Sequence, residues 1–290
     1  MVAYTIGNLL REGASILKEA GINSPYLDGQ LLLKYISGYS KVDMVIYRDR
    51  LVDDKTVEAF FQLIEERKKG KPIQYITGHQ EFMSLDFYVH ENVLIPRPDT
   101  EVLVEKVLEL LRDKDNPVIA DVCTGTGAIA VSLAYYLPDS FVYASDISHH
   151  AVECCSKNIK RHGLESRMKL LQGDLLEPLF EEGLEGKLDA LVSNPPYISK
   201  KDMESLPTSV RGFEPHLALY GGEDGMEFYD RILEDVCKLL KKGGLLAFEI
   251  GWDQGPVLAK HLEDKGIFKD IIIEKDLAGL DRIVYCFLEE

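Results

Sequence analysis

The sequence predicts an α/β fold: a mostly parallel sheet covered by helices on both faces, preceded by a small helical domain. Three observations predict it. From residue 117 onward, short apolar runs alternate with helical stretches. The first of those runs leads through a glycine-rich turn, Asp121-Val122-Cys123-Thr124-Gly125-Thr126-Gly127, into a helix. Before residue 79 the apolar residues recur at helical spacing, with no strand-like alternation.

Residues 1–78 read as the helical domain. Ile6, Leu9, Leu10, Ile16 and Leu17 make one apolar stripe. Asn23-Ser24-Pro25 is a helix-start signal, followed by Tyr26, Leu27 and Leu31–Leu33. Val57, Phe60, Phe61 and Ile64 make another stripe, which ends in a charged stretch before Pro72. Residues 79–95 change character. Phe82, Leu85, Phe87 and Val89, with His90-Glu91-Asn92 as a turn, predict a two-stranded connecting hairpin. Residues 96–290 form the remaining domain. Pro96 and Pro98 bracket Arg97 ahead of a helix over 100–111. Strands are predicted over 118–123, 141–147, 168–174, 188–197, 243–251, 270–276 and 281–290. Helices are predicted over 128–136, 151–162, 231–240 and 256–265.

Composition narrows the function. The chain carries 33 Lys and Arg against 49 Asp and Glu, a net charge of −16. Residues 1–78 hold 11 Lys and Arg and 10 Asp and Glu, so residues 79–290 carry −17. Such acidity repels a phosphate backbone and argues against nucleic acid as the main partner. No run of about 18 apolar residues exists, so no membrane span is expected. Arg11, Glu12, Lys18 and Glu19 interrupt any signal-peptide core, so a cytoplasmic location is expected. The five cysteines form no CxxC pair, which argues against a disulfide framework or a metal site. The seven histidines fall at no triad spacing.

The glycine-rich turn is the first candidate site. Glycines there let the backbone approach a ligand, and the loop feeds a helix N-terminus. A tight turn with no ligand is the plain alternative. Two further strand ends weigh against it. The next strand ends in Asp146-Ile147, at about the spacing expected of a ribose-binding acid. The third ends in Gly173-Asp174-Leu175, where an acid can accept from an adenine amino group and the leucine can cover the ring. The loop is DxCxGxG rather than GxGxxG. Asp121 at its start repels a pyrophosphate but suits the ammonium of a methionine moiety. That favours S-adenosylmethionine over a dinucleotide.

Asn194-Pro195-Pro196-Tyr197 follows the fourth strand, beside the cofactor position. Two prolines fix the loop, and Asn offers a carbonyl acceptor. Together they can hold an NH2 group by both hydrogens, while Tyr197 can pack on a planar substrate. A bare Asn-Pro turn is the alternative.

At these residues the sequence resembles the release-factor glutamine methyltransferases (the PrmC/HemK family) over almost its full length. The likeness includes Pro72–Gly78, Ile95–Glu101, the 121–127 loop, Asp146, Asp174, Asn194–Tyr197, Glu214-Pro215, Ala218-Leu219, Gly221–Gly225, Phe248–Gly251 and Asp281-Arg282. The resemblance implies a class I S-adenosylmethionine-dependent methyltransferase fold, a Rossmann-like sheet of seven strands whose last hairpin is antiparallel. It implies transfer of methyl from S-adenosylmethionine to the glutamine of the Gly-Gly-Gln loop of bacterial peptide release factors, leaving S-adenosylhomocysteine. By the same carry-over Asn194 and the Pro195 carbonyl orient the glutamine amide, and Arg97, Thr100 and Glu101 line the site. Cys123 departs from the family pattern, which has glycine there; cysteine is small enough for binding to be kept. NPPY also occurs in nucleic-acid adenine-N6 methyltransferases, an alternative that the net charge and the lack of a target-recognition domain disfavour. A non-catalytic cofactor-binding module is a third reading, disfavoured by the intact motif and acids.

Overall fold

The computed structural model describes residues 3–289, and its packing divides the chain into two units. One runs to His79 and takes in Pro207–Phe213; the other holds the rest.

The first unit contains α1 (Ile6–Glu19), α2 (Pro25–Ser37), α3 (Lys41–Ile46), α4 (Asp54–Lys68), α5 (Ile73–Thr77) and the late helix α11 (Thr208–Arg211). Side-chain caps start several of these helices. Thr5 accepts from the Asn8 amide, and Asp53 accepts from the Thr56 amide. Ser40 and Asp43 form a reciprocal capping box. The stripes read from sequence converge on one core, in which Leu9, Leu10, Leu17, Phe60 and Ile64 are fully buried or nearly so. Helix α3 went unread because Val42, Val45 and Ile46 are exposed and form no buried stripe. The capping box holds it instead.

The second unit contains β1 (His79–Phe82), β2 (Leu85–Tyr88), α6 (Thr100–Leu111), β3 (Val118–Val122), α7 (Ala128–Tyr136), β4 (Phe141–Asp146), α8 (His149–Arg161) and β5 (Met168–Gln172). It continues with α9 (Glu177–Glu181), β6 (Leu188–Ser193), α10 (Lys200–Met203), α12 (Glu227–Leu239), β7 (Leu240–Glu249), α13 (Gly255–Lys265), β8 (Phe268–Lys275) and β9 (Asp281–Leu288). Its main sheet has seven strands in the order β5-β4-β3-β6-β7-β9-β8. β3 pairs in parallel with β4 and β6, and so do β4 with β5 and β6 with β7. β9 runs antiparallel to β7 and β8.

Period-two alternation gives this sheet a core on each face. Ile119, Val142, Val192 and Ala247 pack on one side with α6, α7 and α8. Ala120, Val122, Leu191, Leu246 and Phe248 pack on the other with α12 and α13. Strand order reverses between β3 and β6, and open sheets bind their ligands at the carboxyl ends of such a switch point. Register sets those ends level: Val122 lies opposite Ser145 and Ser193, so Cys123, Asp146 and Asn194 follow side by side.

Two sequence expectations need correction. The hairpin turns at Met83-Ser84, not at His90–Asn92. Both turn residues have positive φ (51° and 57°) without the Gly or Asn that announces such a turn. Distant groups hold it: the Met83 amide donates to Glu101 and the Tyr136 hydroxyl to the Met83 carbonyl, both at 2.6 Å. The hairpin also joins the core of the sheet through Phe82, Leu85 and Phe87. The second correction concerns 96–290, which was read as one domain. Pro207–Phe213 leaves it for the helical unit.

Candidate active site

A cavity of about 310 Å³ opens at the carboxyl ends of β3–β6. The loop after β3 forms its floor. Cys123, Gly125 and Gly127 all adopt left-handed φ (62°, 55° and 81°). At Gly127 a side chain has no room, since a Cβ would stand 2.5 Å from Cys155 Sγ on α8. α8 also pins the loop through buried Asn158, whose amide donates to the Thr126 carbonyl at 2.8 Å.

Asp146 lines the cavity and braces this loop. One carboxylate oxygen accepts from the Gly125 amide and the other from the Ser148 amide, each at 2.9 Å. Burial raises its pKa. Asp174 and Leu175 line the cavity beyond it. Asp174 is paired with Arg231 of α12, which lies over the Phe228 ring. Arg231 and Phe228 both line the cavity, and sequence reading missed them. Their only signal was helical phase on α12, with Tyr229, Ile232 and Leu233 turned into the core.

Opposite stand Asn194, Pro196, Arg97 and Thr100. Arg97 is ion-paired with buried Glu214, whose pKa burial pushes up. Asn194 Nδ2 donates to Thr100 Oγ1 at 3.4 Å. Beneath them, Tyr197 donates to Glu249 Oε1 at 3.4 Å, and Gln254 donates to the Tyr197 carbonyl at 3.0 Å. Glu249 is 1% exposed, and burial pushes its carboxyl up to about 7 against the Thr100 and Tyr197 hydroxyls, which favour the charged form.

The structure therefore brings together Cys123, Thr124, Gly125, Thr126, Asp146, Ile147, Asp174, Leu175, Asn194, Arg97, Thr100 and Pro196. Five residues expected at the site lie off the cavity. Asp121 is fully buried under the loop, where Oδ2 accepts from Thr124 Oγ1 (2.6 Å) and the Ala130 amide (3.1 Å). Its Oδ1 has no hydrogen-bond partner among the described residues, and burial pushes its carboxyl up to about 7. Gly127 sits behind the loop at the start of α7. Glu101 caps the hairpin turn instead of lining the site. Pro195 is buried. Tyr197 packs its ring on the sheet core, so it supports the motif from below instead of stacking on a ligand in this cavity.

Residues 8–78 match the family model described as the PrmC N-terminal domain, and residues 98–209 match the methyltransferase small domain. The release factor glutamine methyltransferase of Moorella thermoacetica is 45% identical over 98% of this chain and 98% of its own length. The proteins of the same name from Clostridium acetobutylicum and Clostridium botulinum are 43% and 41% identical, each over 96% of this chain and 97% of theirs. Among solved structures, a methyltransferase from Pyrococcus furiosus superposes with a TM-score of 0.52 at 20% identity, covering 72% of this chain and 91% of its own. The hMettl16 catalytic domain, in complex with the MAT2A 3'UTR hairpin 6, gives 0.56 at 15% identity, covering 83% and 94%. These structures share the fold.

Proposed function

The chain belongs to the release factor glutamine methyltransferase family, and on that premise we propose that it methylates the side-chain amide nitrogen of the glutamine in the Gly-Gly-Gln motif of bacterial peptide release factors, using S-adenosylmethionine. One observation carries the reading: Asn194, Asp146 and Asp174, from three strand ends, line a single cavity. The cavity fits the cofactor. Asp146 keeps carboxylate lone pairs for ribose hydroxyls beyond its two backbone bonds. Asp174 and Leu175 supply an acceptor and an apolar cover for adenine, with Phe228 beside them. Asp121 Oδ1 is unpartnered beneath the loop, and a bound ammonium would favour ionisation of this carboxyl, which burial otherwise holds protonated to about pH 7.

When bound, the sulfonium supplies an electrophilic methyl group with a good leaving group. An amide nitrogen is a poor nucleophile because its lone pair is delocalised, so orientation is what the protein contributes. The Asn194 side-chain carbonyl accepts one amide hydrogen of the substrate, and family likeness gives the other to the backbone carbonyl of Pro195, a residue buried off the cavity lining. Accepting both favours the positive charge that develops on nitrogen.

The test is labelled S-adenosylmethionine with purified release factor, with release factor whose Gly-Gly-Gln glutamine is replaced, and with DNA. Label is expected on the intact factor alone, and mass spectrometry should place it on that glutamine. Asn194→Ala should lose about 2–4 kcal/mol of transition-state stabilisation with little change in cofactor affinity. Label on another residue, or on DNA adenine, would overturn the substrate assignment.

A further inference from the structure

We infer that Arg231 is a positioning residue, which fixes the Asp174 carboxylate so that the cavity reads the 6-amino group of a purine and rejects a 6-oxo purine. The inference rests on the cofactor reading above. Asp174 follows β5, Arg231 stands on α12, and both line the cavity. Arg231 Nη2 donates to Asp174 Oδ2 at 2.5 Å. Among the described residues the Asp174 side chain has no other hydrogen bond or ion pair. A carboxylate held by one oxygen keeps the lone pairs of the other for a donor. Adenine offers such a donor at C6. A 6-oxo purine offers a carbonyl there, and a carboxylate repels it.

The arginine is itself held. Tyr229, Ile232, Leu233 and Val236 of α12 are buried in the core, which fixes the helix against the sheet. Phe228 and Arg231 lie three residues apart and so share one helix face. The guanidinium carbon lies 5.7 Å from the Phe228 ring centroid. One part of the guanidinium thus meets the ring, and another meets Asp174. Stability does not account for the pair. Its side chains are 40% and 32% exposed, and an ion pair that open to water adds little to stability. What the pair restricts is the freedom of Asp174. The turn after β5 fixes the backbone there: the Asp174 carbonyl accepts from the Glu177 amide at 3.0 Å. That bond leaves the side chain free to change rotamer. With Arg231 in place, Oδ2 is tied to α12 and Oδ1 stays available to the ligand.

The experiment titrates the full chain by calorimetry with S-adenosylhomocysteine and with S-inosylhomocysteine, its 6-oxo counterpart. The wild type should prefer the amino ligand by about 100-fold or more, since the 6-oxo ligand loses the donor and sets a carbonyl against the carboxylate. Arg231→Met keeps an unbranched stem beside Phe228 and removes the cation. It should bind S-adenosylhomocysteine about ten-fold more weakly and S-inosylhomocysteine no more weakly than the wild type does, so the preference narrows about ten-fold. A general loosening of the cavity would weaken both ligands alike. A preference that Arg231→Met leaves intact, with both ligands weakened by one factor or neither weakened, overturns the positioning role while the cofactor reading stands. So does tighter binding of S-adenosylhomocysteine, which would make Arg231 a competitor for Asp174. A wild type that binds neither ligand sinks the cofactor reading and the positioning role with it.

Discussion

At φ +62° Cys123 holds a left-handed backbone that costs a residue with a Cβ about 1 kcal/mol or more. Its thiol is partly buried against the sheet core beside Ser193 and pushed well above its usual pKa, which disfavours the thiolate. Truncation to alanine keeps the strain and loses the packing. Truncation to glycine loses the same packing but relieves the strain. Cys123→Gly should therefore match or exceed Cys123→Ala in urea denaturation, reversing the usual preference for alanine of about 0.5–1 kcal/mol. Alanine more stable by that usual margin would show that the backbone is not strained there. Residue by residue, the site was legible where it sat at a strand end. Asp146 and Asp174 were read from their places at strand ends and Asn194 from the Asn-Pro-Pro-Tyr motif after the fourth strand, and parallel register sets these ends level. Phe228 and Arg231 were not read. They reach the site from α12, at a range where local pattern carries no information about who meets whom.

At the scale of elements, α8 fastens two others. Asn158 is fully buried; it accepts from the Tyr88 amide at 2.7 Å and donates to the Tyr88 and Thr126 carbonyls at 3.0 and 2.8 Å. One side chain thus ties the end of β2 to the cofactor loop. Asn158→Ala leaves three backbone groups without these bonds, and should cost about 3 kcal/mol of stability. Cofactor affinity should fall as well, because Thr126 loses its anchor. Calorimetric titration that finds affinity unchanged in a folded Asn158→Ala protein would separate the loop from this brace. The strands and long helices of the sheet were legible because apolar period and turn residues agree with the tertiary outcome. The hairpin turn was not, since Glu101 and Tyr136 hold Met83-Ser84 in a conformation its own residues disfavour. Pro207–Phe213 was not either, because a chain excursion into another unit leaves no periodic trace.

For the whole molecule, buried carboxyls set the sign of the pH dependence. Folded, Asp121 and Glu249 keep their protons to about pH 7; unfolded and solvated, they release them near 3.8 and 4.5. Between those limits the folded state binds more protons than the unfolded one. Stability therefore falls as the pH rises, by about 1.4 kcal/mol per pH unit for each group, and levels above pH 7. Asp146 and Glu214, also raised by burial, act in the same direction. So does a charge of −16 at pH 7, whose self-repulsion eases as the pH falls. Asp43, Asp53 and Asp276 are held low by bonds from Ser40, Thr56 and the Leu280 amide, and they withdraw stability only below about 3.8. His90, pushed down by burial, opposes the trend below its ordinary 6.5, one half-buried group against four carboxyls. Urea midpoints should be lower at pH 8.0 than at pH 5.5, and Asp121→Asn should shrink that gap by on the order of 2 kcal/mol. Midpoints that climb with pH, or a gap that Asp121→Asn leaves intact, would mean that these carboxyls are already ionised in the folded protein.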